Sequence, residues 1–596
     1  MQVRPGSFRL HEGVHIVVPK GAPEARQVGV YLANAVAASA GLGLKIVESD
    51  RPSVRRGAMV LTLTGPRQDS ANPESYELEV TQRGVLVQAP GAAGLFYGVR
   101  TLLGLFPPEI EGQARGEASW RAPCVKIVDS PRFAWRGLLL DVSRHFFSKE
   151  FVKRYIDQMA KYKLNVLQLH LTDDQGWRIE IKSLPQLTKV GAWRVPRLGR
   201  WWERDAPREG EAATEGGFYT QDDVQDLVRY AQERFVTIVP EIEVPGHALA
   251  ALASYPEISC TGGPFRVNPG SKFYGQEDNA LCPGNEKTFE FMEKVFSEVA
   301  ALFPSTYVHI GGDECFKGFW KSCPKCQRRK AEENLKSENE LQSYLIRRAE
   351  KMLAAKGKRL IGWDEILEGG LAPNAAVMSW RGMKGGIAAA KMNHQVVMTP
   401  SNFTYLDLYQ GDPALEPDTY SRLLLSTCYR FEPVPEGVDP KYILGGQGNL
   451  WTESVPNPRH AEYMTWPRAL ALSEVLWSPR EKRNWDDFAG RMENHLRRLN
   501  AAQVNYSRAV YDAAITPVRT SGGKLSLQMS TELAGCEIYY TFDGTNPDRY
   551  MGKYRGEPLE VPGGAYVVKA VAYRGGQPSG RVLSLTVKEL IERLPH

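Results

Sequence analysis

Several common features are missing from this sequence. No run of about 18 apolar residues occurs in the 596 residues, so we expect no transmembrane helix. Charge of one sign does not dominate, because 74 basic and 69 acidic residues leave a net charge of only +5. No long basic stripe occurs either, so nucleic acid is not an expected partner. The chain also lacks a nucleotide-binding glycine fingerprint, a nucleophile elbow and a His-Glu-x-x-His motif, which argues against three large enzyme classes.

The start of the chain and two of its cysteines bear on the cellular compartment. The first residues, MQVRPGS, lack the apolar core of a signal peptide, so either the protein is cytoplasmic or its leader has been removed. Cys260 and Cys282 flank a loop rich in glycine and proline. In an exported protein, a disulfide between them could close this loop.

Three further cysteines, Cys315, Cys323 and Cys326, lie close together in sequence. The pair in Cys323-Pro-Lys-Cys326 could hold zinc or form a disulfide. A zinc site requires four ligands and this stretch supplies three, so we favour a disulfide or free thiols over a metal site.

Length and pattern predict several domains, since 596 residues exceed what one hydrophobic core holds. Residues 1–130 alternate short apolar runs with polar turns and contain two helical patterns, near Glu24–Ser39 and Gly91–Leu105. They predict a small α+β domain. Residues 510–596 alternate with period two around an Asp543-Gly544 turn, which predicts a β-sandwich.

Residues 131–505 alternate strand and helix patterns, the signature of βα units. Eight strands are predicted, at Leu138–Val142, Val166–His170, Thr237–Glu241, Tyr307–Ile310, Arg359–Trp363, Ala376–Trp380, Gln395–Met398 and Tyr442–Gly446. Amphipathic helical runs lie between most of them, the first with Ser148 as its N-cap. Eight such units predict an α/β protein built on a (β/α)8 barrel.

The stretch Tyr307–Glu314 (YVHIGGDE) ends a predicted buried strand in two glycines and two adjacent carboxylates. Asp313 and Glu314 repel each other, so one of them should hold a proton near neutral pH. A protonated acid beside an ionised carboxylate suits the cleavage of a glycosidic bond. On this stretch alone, a solvent-facing strand end is an equally good interpretation.

The residues that follow the other predicted strands strengthen the enzymatic interpretation, because barrel chemistry occurs where strands end. Many carboxylates, one arginine and three tryptophans lie at separate strand ends. Carboxylates and arginine can bind sugar hydroxyls, and tryptophan faces suit the apolar face of a sugar ring. Three histidines, His170, His247 and His309, are better explained by hydrogen bonds to carboxylates than by a metal.

The sequence resembles the β-N-acetylhexosaminidases of glycoside hydrolase family 20. The motifs that carry the resemblance are Leu140–His145 (LDVSRH), His170–Trp177 (HLTDDQGW), Pro240–His247 (PEIEVPGH), His309–Glu314 (HIGGDE), Gly362–Glu365 (GWDE), Tyr405–Asp407 (YLD) and Leu450–Glu453 (LWTE). The similarity spans nearly the whole chain. It extends to the non-catalytic N-terminal domain and, at Tyr540–Pro547, to the C-terminal sandwich.

The resemblance implies a retaining exo-glycosidase that removes terminal β-linked N-acetylhexosamine from oligosaccharides or glycoconjugates. The substrate's own acetamido oxygen would be the nucleophile, and an oxazolinium would form. Glu314 is implied as general acid and then base, and Asp313 as the residue that orients the acetamido group and stabilises its charge.

The other roles are carried over in the same way. Tyr405 would bind the acetamido oxygen, while Trp363, Trp380 and Trp451 would surround its methyl group. Hydroxyls of the terminal sugar would be bound by Arg144, Asp407 and Glu453, and Asp173 and His247 would support the acid. The resemblance implies no metal and no organic cofactor.

Two alternatives remain, one that differs in the sugar released and one in the class of protein. A lacto-N-biosidase would release a disaccharide, although Arg144 and Glu453 should close around one terminal sugar. A non-catalytic glycan-binding protein would have lost the acid or Asp313, and both are present. The cysteine-bearing loop after Glu314 departs from the family's sequence pattern, so the leaving-group preference stays open. The sequence also leaves open the choice between N-acetylglucosamine and N-acetylgalactosamine, and the oligomeric state. Family precedent and Cys260–Cys282 favour export.

Overall fold

The computed structural model describes residues 1–65, 72–112, 119–520 and 522–594, which form three domains. Parts of the predicted ranges 1–130 and 510–596 lie outside the described residues. Within the described ranges, no helix combines the length and the apolar character needed to cross a bilayer.

The N-terminal domain is a seven-stranded sheet covered by two helices, Pro23–Ala40 and Ala92–Leu105. Val28, Leu32 and Val36 of the first helix recur at helical spacing and are buried, so this face packs into the core. In chain order the strands are Gln2–Arg9, His15–Pro19, Lys45–Ser49, Ala58–Leu63, Tyr76–Val80, Gly84–Ala89 and Arg121–Asp129. In the sheet they are arranged in the order first, seventh, fifth, sixth, fourth, second, third.

The central domain is a closed barrel of eight parallel strands, so the predicted (β/α)8 fold is confirmed. The strands are Trp135–Asp141, Val166–His170, Thr237–Glu241, Tyr307–His309, Arg359–Trp363, Ala376–Ser379, Val396–Met398 and Ile443–Leu450. Each predicted strand overlaps one of these.

The first and last barrel strands are longer than predicted, because polar residues and glycines hide their ends in the sequence. Inside the barrel, Trp135 Nε1 donates to Gln447 Oε1 at 3.1 Å, and Gln447 Nε2 donates to Gln168 Oε1 at 2.8 Å. A Cβ on Gly445 would lie 1.9 Å from the Trp135 carbonyl oxygen, so the two strands can pair closely only with glycine there. The barrel interior is therefore partly polar. Strand ends that carry these polar residues are not recognised when strands are predicted from runs of apolar residues.

Helices surround the barrel and link it to its neighbours. Their bounds are Lys149–Lys161, Gln186–Lys189, Gln221–Gln232, Leu249–Ser254, Glu286–Leu302, Gly318–Ser322, Pro324–Glu332, Glu338–Ala354, Lys384–Lys391, Ser401–Thr404, Leu425–Tyr429, Pro458–Thr465, Arg468–Trp477 and Trp485–Ala501. Ser148 caps the first of them by accepting from the Phe151 amide, as predicted. Two short hairpins, Thr172–Asp173 with Gly176–Trp177 and Trp193–Arg194 with Glu215–Gly216, lie in the loops.

The C-terminal domain consists of two small sheets packed on a shared core, which confirms the predicted sandwich. Its strands are Ala514–Arg519, Leu525–Ser530, Cys536–Thr541, Gly552–Lys553, Leu559–Glu560, Val567–Arg574, Gln577–Pro578 and Leu583–Thr586, followed by the helix Val587–Glu592. Arg593 holds the domain on the barrel through Asp412, at 2.7 and 3.0 Å.

The Cys260–Cys282 disulfide, which the sequence left as a possibility, is not formed in the structure. All eight cysteines, each of them among the described residues, are free thiols. Cys260 and Cys282 lie instead beside Cys323 and Cys326, whereas Cys315 is not one of this group. The loops after the third and fourth barrel strands fold onto each other, and spacing along the chain does not reveal that approach.

Arg136 forms a buried ion-pair link between the N-terminal domain and the barrel. Its guanidinium is fully buried and donates to both oxygens of Glu74, each at 2.9 Å. It also donates to the carbonyl oxygens of Phe133 and Lys163, at 2.7 and 2.8 Å. Every edge of this buried cation thus meets an acceptor.

We expect Arg136→Ala to lower the free energy of unfolding by about 3–5 kcal/mol, because it leaves the Glu74 carboxylate without its paired cation and removes the donor to two carbonyl groups. Chemical denaturation followed by fluorescence measures this. The matched control is Arg4→Ala, whose partner Glu79 is at the surface, where about 1 kcal/mol or less is expected. Equal losses in the two variants would contradict the assignment.

Candidate active site

The site lies at the carboxyl ends of the barrel strands, where Asp313 and Glu314 follow the strand Tyr307–His309. Ile310 and two glycines separate the strand from the carboxylates. A Cβ on Gly311 would lie 1.7 Å from Glu243 Oε2, so any other residue would clash with a buried carboxylate. Glu314 itself has a φ of +42°, in the left-handed region that most residues avoid. The backbone is therefore held in a costly conformation where the acid side chain emerges.

The two adjacent carboxylates have different surroundings. The side chain of Glu314 is 52% exposed, whereas that of Asp313 is 13% exposed. His247 lies between them, with Nε2 3.6 Å from Asp313 Oδ2 and 3.7 Å from Glu314 Oε2. Glu314 can thus reach a leaving group that projects from the cavity, while Asp313 faces inward.

Burial raises the pKa of Asp313 to about 6, and the neighbouring charge of Glu314 adds to the shift while His247 opposes it. Its Oδ1 is buried and has no hydrogen-bond partner among the described residues. A buried acceptor without a donor is costly, so the site is suited to a ligand that brings an N–H or O–H group. Of the two adjacent carboxylates, Asp313 is therefore the one that titrates near neutral pH.

His247 is supported from behind by a network of charges. Its Nδ1 is 3.2 Å from Asp173 Oδ1, 3.3 Å from Asp174 Oδ2 and 3.1 Å from the Tyr274 hydroxyl. Burial by itself lowers the pKa of His247, but Tyr274, Asp173 and Asp313 together raise it well above its usual value. The cationic imidazolium is the form that this environment stabilises.

Arg144 completes the network on the other side of Asp173. Its Nη2 is 2.7 Å from Asp173 Oδ2 and 3.9 Å from Glu453 Oε1, and its Nε donates to Gln175 at 3.1 Å. The guanidinium carbon lies 5.2 Å from the ring centroid of Trp451. Burial opposes ionisation of Asp173, yet Arg144 and His247 hold its pKa well below the usual range.

Aromatic side chains form the wall of the cavity. The rings of Trp380 and Tyr405 are stacked at 6.1 Å and 14°, and Trp363 and Trp451 meet at 5.7 Å. Two indole N–H groups point away from the cavity, that of Trp363 to Glu241 at 2.8 Å and that of Trp380 to Glu365 at 2.9 Å. Since these polar edges are satisfied elsewhere, the ring faces remain for apolar contact.

Nine of the eleven predicted site residues line one cavity. Its lining consists of Arg144, His247, Asp313, Glu314, Trp363, Trp380, Tyr405, Trp451 and Glu453, together with Tyr420. The other two lie behind this lining: Asp173 beneath Arg144 and His247, and Asp407 behind Tyr420, whose hydroxyl donates to Asp407 Oδ2 at 2.7 Å. Burial and the charge of Glu453 raise the pKa of Asp407 to about 7.

Three contributors were not predicted as site residues. Tyr420 and Tyr274 lie on loops far from any strand end, and no local motif marks them. Glu365 belongs to a motif carried by the resemblance. Burial, followed by the charge of Asp313, raises its pKa to about 8. Tertiary packing brings all three to the cavity or to the groups that support it.

Known families match all three domains. The family model described as "Glycosyl hydrolase family 20, catalytic domain" matches residues 133–480, more than half of the chain. "Glycosyl hydrolase family 20, domain 2" matches residues 1–130, and "Chitobiase/beta-hexosaminidase C-terminal domain" matches residues 519–584.

Individual proteins agree with the family models. A β-hexosaminidase from Porphyromonas gingivalis is 42% identical over 563 residues, with 93% of this chain and 69% of that protein covered. A β-N-acetylhexosaminidase from Cellulomonas fimi is 32% identical over 489 residues, with 80% and 88% covered. The solved structure of the family 20 β-N-acetylhexosaminidase from Streptomyces coelicolor A3(2) superimposes with a TM-score of 0.72 at 32% identity, covering 85% of this chain and 96% of that one. The resemblance read from the sequence is confirmed, and the chain belongs to glycosyl hydrolase family 20 as a β-N-acetylhexosaminidase.

Proposed function

We propose that the protein removes single terminal β-linked N-acetylglucosamine or N-acetylgalactosamine residues from oligosaccharides or glycoconjugates, with retention of configuration, and that the acetamido group of the substrate is the nucleophile. The observation that carries this proposal is Asp313, whose buried Oδ1 lacks a donor among the described residues. An acetamido N–H is a donor of the kind this acceptor requires. A plain hexose has a hydroxyl at this position, which could also donate but brings no carbonyl oxygen to act as the nucleophile.

The position of the two carboxylates also supports substrate assistance. In the two-carboxylate retaining mechanism, the acid and the nucleophile flank the sugar at about 5–5.5 Å from each other. Asp313 and Glu314 are adjacent residues at one strand end, which makes it awkward for them to flank a sugar ring from opposite faces. That arrangement suits one group that transfers protons and a second that steadies the acetamido group.

The reaction then proceeds in two steps. Protonated Glu314 gives its proton to the glycosidic oxygen as the acetamido oxygen attacks the anomeric carbon, and the bond to the leaving group breaks. The oxazolinium that forms carries positive charge near its nitrogen, which ionised Asp313 stabilises. Glu314, now a carboxylate, takes a proton from water. The water oxygen attacks the anomeric carbon, the oxazolinium ring opens, and the anomeric configuration is retained.

The aromatic wall suits the acetamido group. Trp363, Trp380 and Trp451 offer apolar faces to its methyl group. The rings of Tyr405 and Trp451 lie side by side, with centroids 6.3 Å apart. The Tyr405 hydroxyl, which lines the same cavity, can donate to the acetamido oxygen. That bond would turn the oxygen toward the anomeric carbon.

Release of one sugar, rather than of a disaccharide, is supported by the closed end of the cavity. Arg144 and Glu453 approach to 3.9 Å, and Tyr420 covers Asp407. A lacto-N-biosidase requires space beyond the terminal hydroxyls, where these four side chains lie. We assign the binding of the terminal sugar's hydroxyls to Arg144, Glu453 and Tyr420, whose hydroxyl Asp407 orients from behind the lining.

Glu314→Gln should lower kcat about 10²–10⁴-fold, because the amide cannot transfer the proton. The loss should be larger on chitobiose than on 4-nitrophenyl β-N-acetylglucosaminide, since nitrophenolate leaves with little protonation. Initial rates on both substrates measure it. Glu368→Gln, outside the cavity, is the control and should keep wild-type rates. Near-normal hydrolysis of chitobiose by Glu314→Gln would refute the role.

Substituting fluorine for hydrogen in the acetamido methyl group should slow the wild-type enzyme with each added fluorine, because the carbonyl oxygen becomes a weaker nucleophile. The measurement is kcat on the acetyl, fluoroacetyl and trifluoroacetyl forms of the nitrophenyl glycoside. The nitrophenyl β-glucoside, which lacks the acetamido group, should be hydrolysed far more slowly. Equal rates along the fluorine series would point to an enzyme nucleophile.

The pH dependence of kcat/KM should reflect the ionisation of Asp313. Because the ionised form stabilises the oxazolinium and the pKa is raised to about 6, kcat/KM should fall as the pH drops below that value. The expected slope is about tenfold per pH unit. In Asp313→Asn this acidic limb should disappear, at a lower overall rate, whereas Glu368→Gln should retain it. An unchanged acidic limb in Asp313→Asn would assign it to another group.

A further inference from the structure

Four cysteines from two loops converge beside the active site. Cys260 and Cys282 belong to the loop after the third barrel strand, and Cys323 and Cys326 to the loop after the fourth, which also carries Glu314. Three of the four are buried and Cys260 is partly buried. The proposed reaction uses none of them.

The sulfur positions match four ligands around one centre. Cys282 Sγ lies 3.5 Å from Cys326 Sγ and 3.8 Å from Cys323 Sγ, and Cys260 Sγ lies 3.6 Å from Cys326 Sγ. All four sulfurs lie within 4.8 Å of one another. A tetrahedron with metal–sulfur bonds of about 2.3 Å has edges of about 3.8 Å. A disulfide would instead pair each sulfur with one partner at about 2.05 Å, but Cys282 and Cys326 each approach two.

The backbone around the sulfurs is built for close approach. Cys323 precedes the helix Pro324–Glu332 and Cys326 lies in its first turn, so both sulfurs sit at the amino end of the helix. A Cβ on Gly284 would lie 2.2 Å from the carbonyl carbon of Lys325, so the loop carrying Cys282 can reach this helix only with glycine there. Tertiary structure thus brings a second pair of thiols to the Cys-x-x-Cys pair.

Neighbouring groups hold the ligand loops in place. The carboxylate of Asp278 accepts from the Cys260 amide at 3.0 Å, and Trp320 Nε1 donates to the Leu281 carbonyl oxygen at 3.1 Å. Trp320 and Leu341 are fully buried against the thiols. Such hydrogen bonds and apolar cover accompany structural metal sites, where they orient the ligands and exclude water.

We propose that Cys260, Cys282, Cys323 and Cys326 bind one Zn²⁺ as four thiolates, in a structural site that ties together the two loops bordering the acid. Soft thiolate ligands in tetrahedral geometry favour zinc over calcium, magnesium or manganese. Each thiol releases its proton on binding, and no atom changes its oxidation state. With four protein ligands the site has no open position, so its role is to hold the loops and not to activate water.

Metal analysis tests the proposal on the full-length enzyme. Inductively coupled plasma mass spectrometry should find about one zinc per chain in the wild type and less than about 0.1 in Cys282→Ser or Cys326→Ser. Two cysteines outside the group serve as matched controls. Cys315→Ala changes the same loop, and Cys124→Ala changes a buried thiol of the N-terminal domain. Both variants should retain the zinc, and its loss from either would contradict the ligand assignment.

Measurements on the wild type decide the matter even if the cysteine variants fail to fold. Zinc should be released by a mercurial that titrates thiols. Once excess competing thiol has removed the mercurial and the protein has been desalted, added Co²⁺ should give the thiolate charge-transfer and tetrahedral d–d absorption bands. Two outcomes overturn the proposal. One is a zinc-free wild-type enzyme that takes up neither Zn²⁺ nor Co²⁺ under reducing conditions. The other is an intact mass about 4 Da below that of the thiol form, which two disulfides would produce.

Discussion

The buried carboxylate of Asp173 is the interaction on which the rest of the site depends. It contacts Arg144 at 2.7 Å, His170 at 2.7 Å and His247 at 3.2 Å, and its side chain has no exposed surface. An unpaired charge at this depth would be very costly, so the carboxylate is stable there only with its cationic partners in place. Arg144 and His247 then face the cavity from opposite sides, with orientations that a substrate does not need to impose.

The acidic groups of the site differ in their ionisation because their neighbours differ. Asp173 stays ionised because cations touch it, while Asp313, Glu365 and Asp407 lie in enclosed, largely aromatic surroundings that raise their pKa values to about 6, 8 and 7. Carboxyl groups of similar intrinsic acidity thus act as permanent anions or as groups that titrate near neutrality. The difference comes from burial and neighbours.

Sequence patterns predicted what is local and missed what is tertiary. Strand ends, the glycine pair before Asp313 and the tryptophan positions follow from periodicity and short motifs, and nine predicted residues do line one cavity. Tyr420 could not be found, because nothing near it in the chain marks the return of its loop to Asp407. The grouping of Cys260 with Cys326 was also hidden, since 66 residues separate them and only the packing of two loops joins them. The hidden ends of the first and last strands have a similar cause, because their polar residues are paired inside the barrel.

The backbone at Glu314 places catalysis and folding in opposition. A φ of +42° costs a glutamate of the order of 1–3 kcal/mol, a cost that glycine would largely avoid. Glycine at this position would relieve the strain but would remove the carboxyl group that donates the proton in the proposed reaction. In that reaction, stability and turnover therefore favour different residues at the same position.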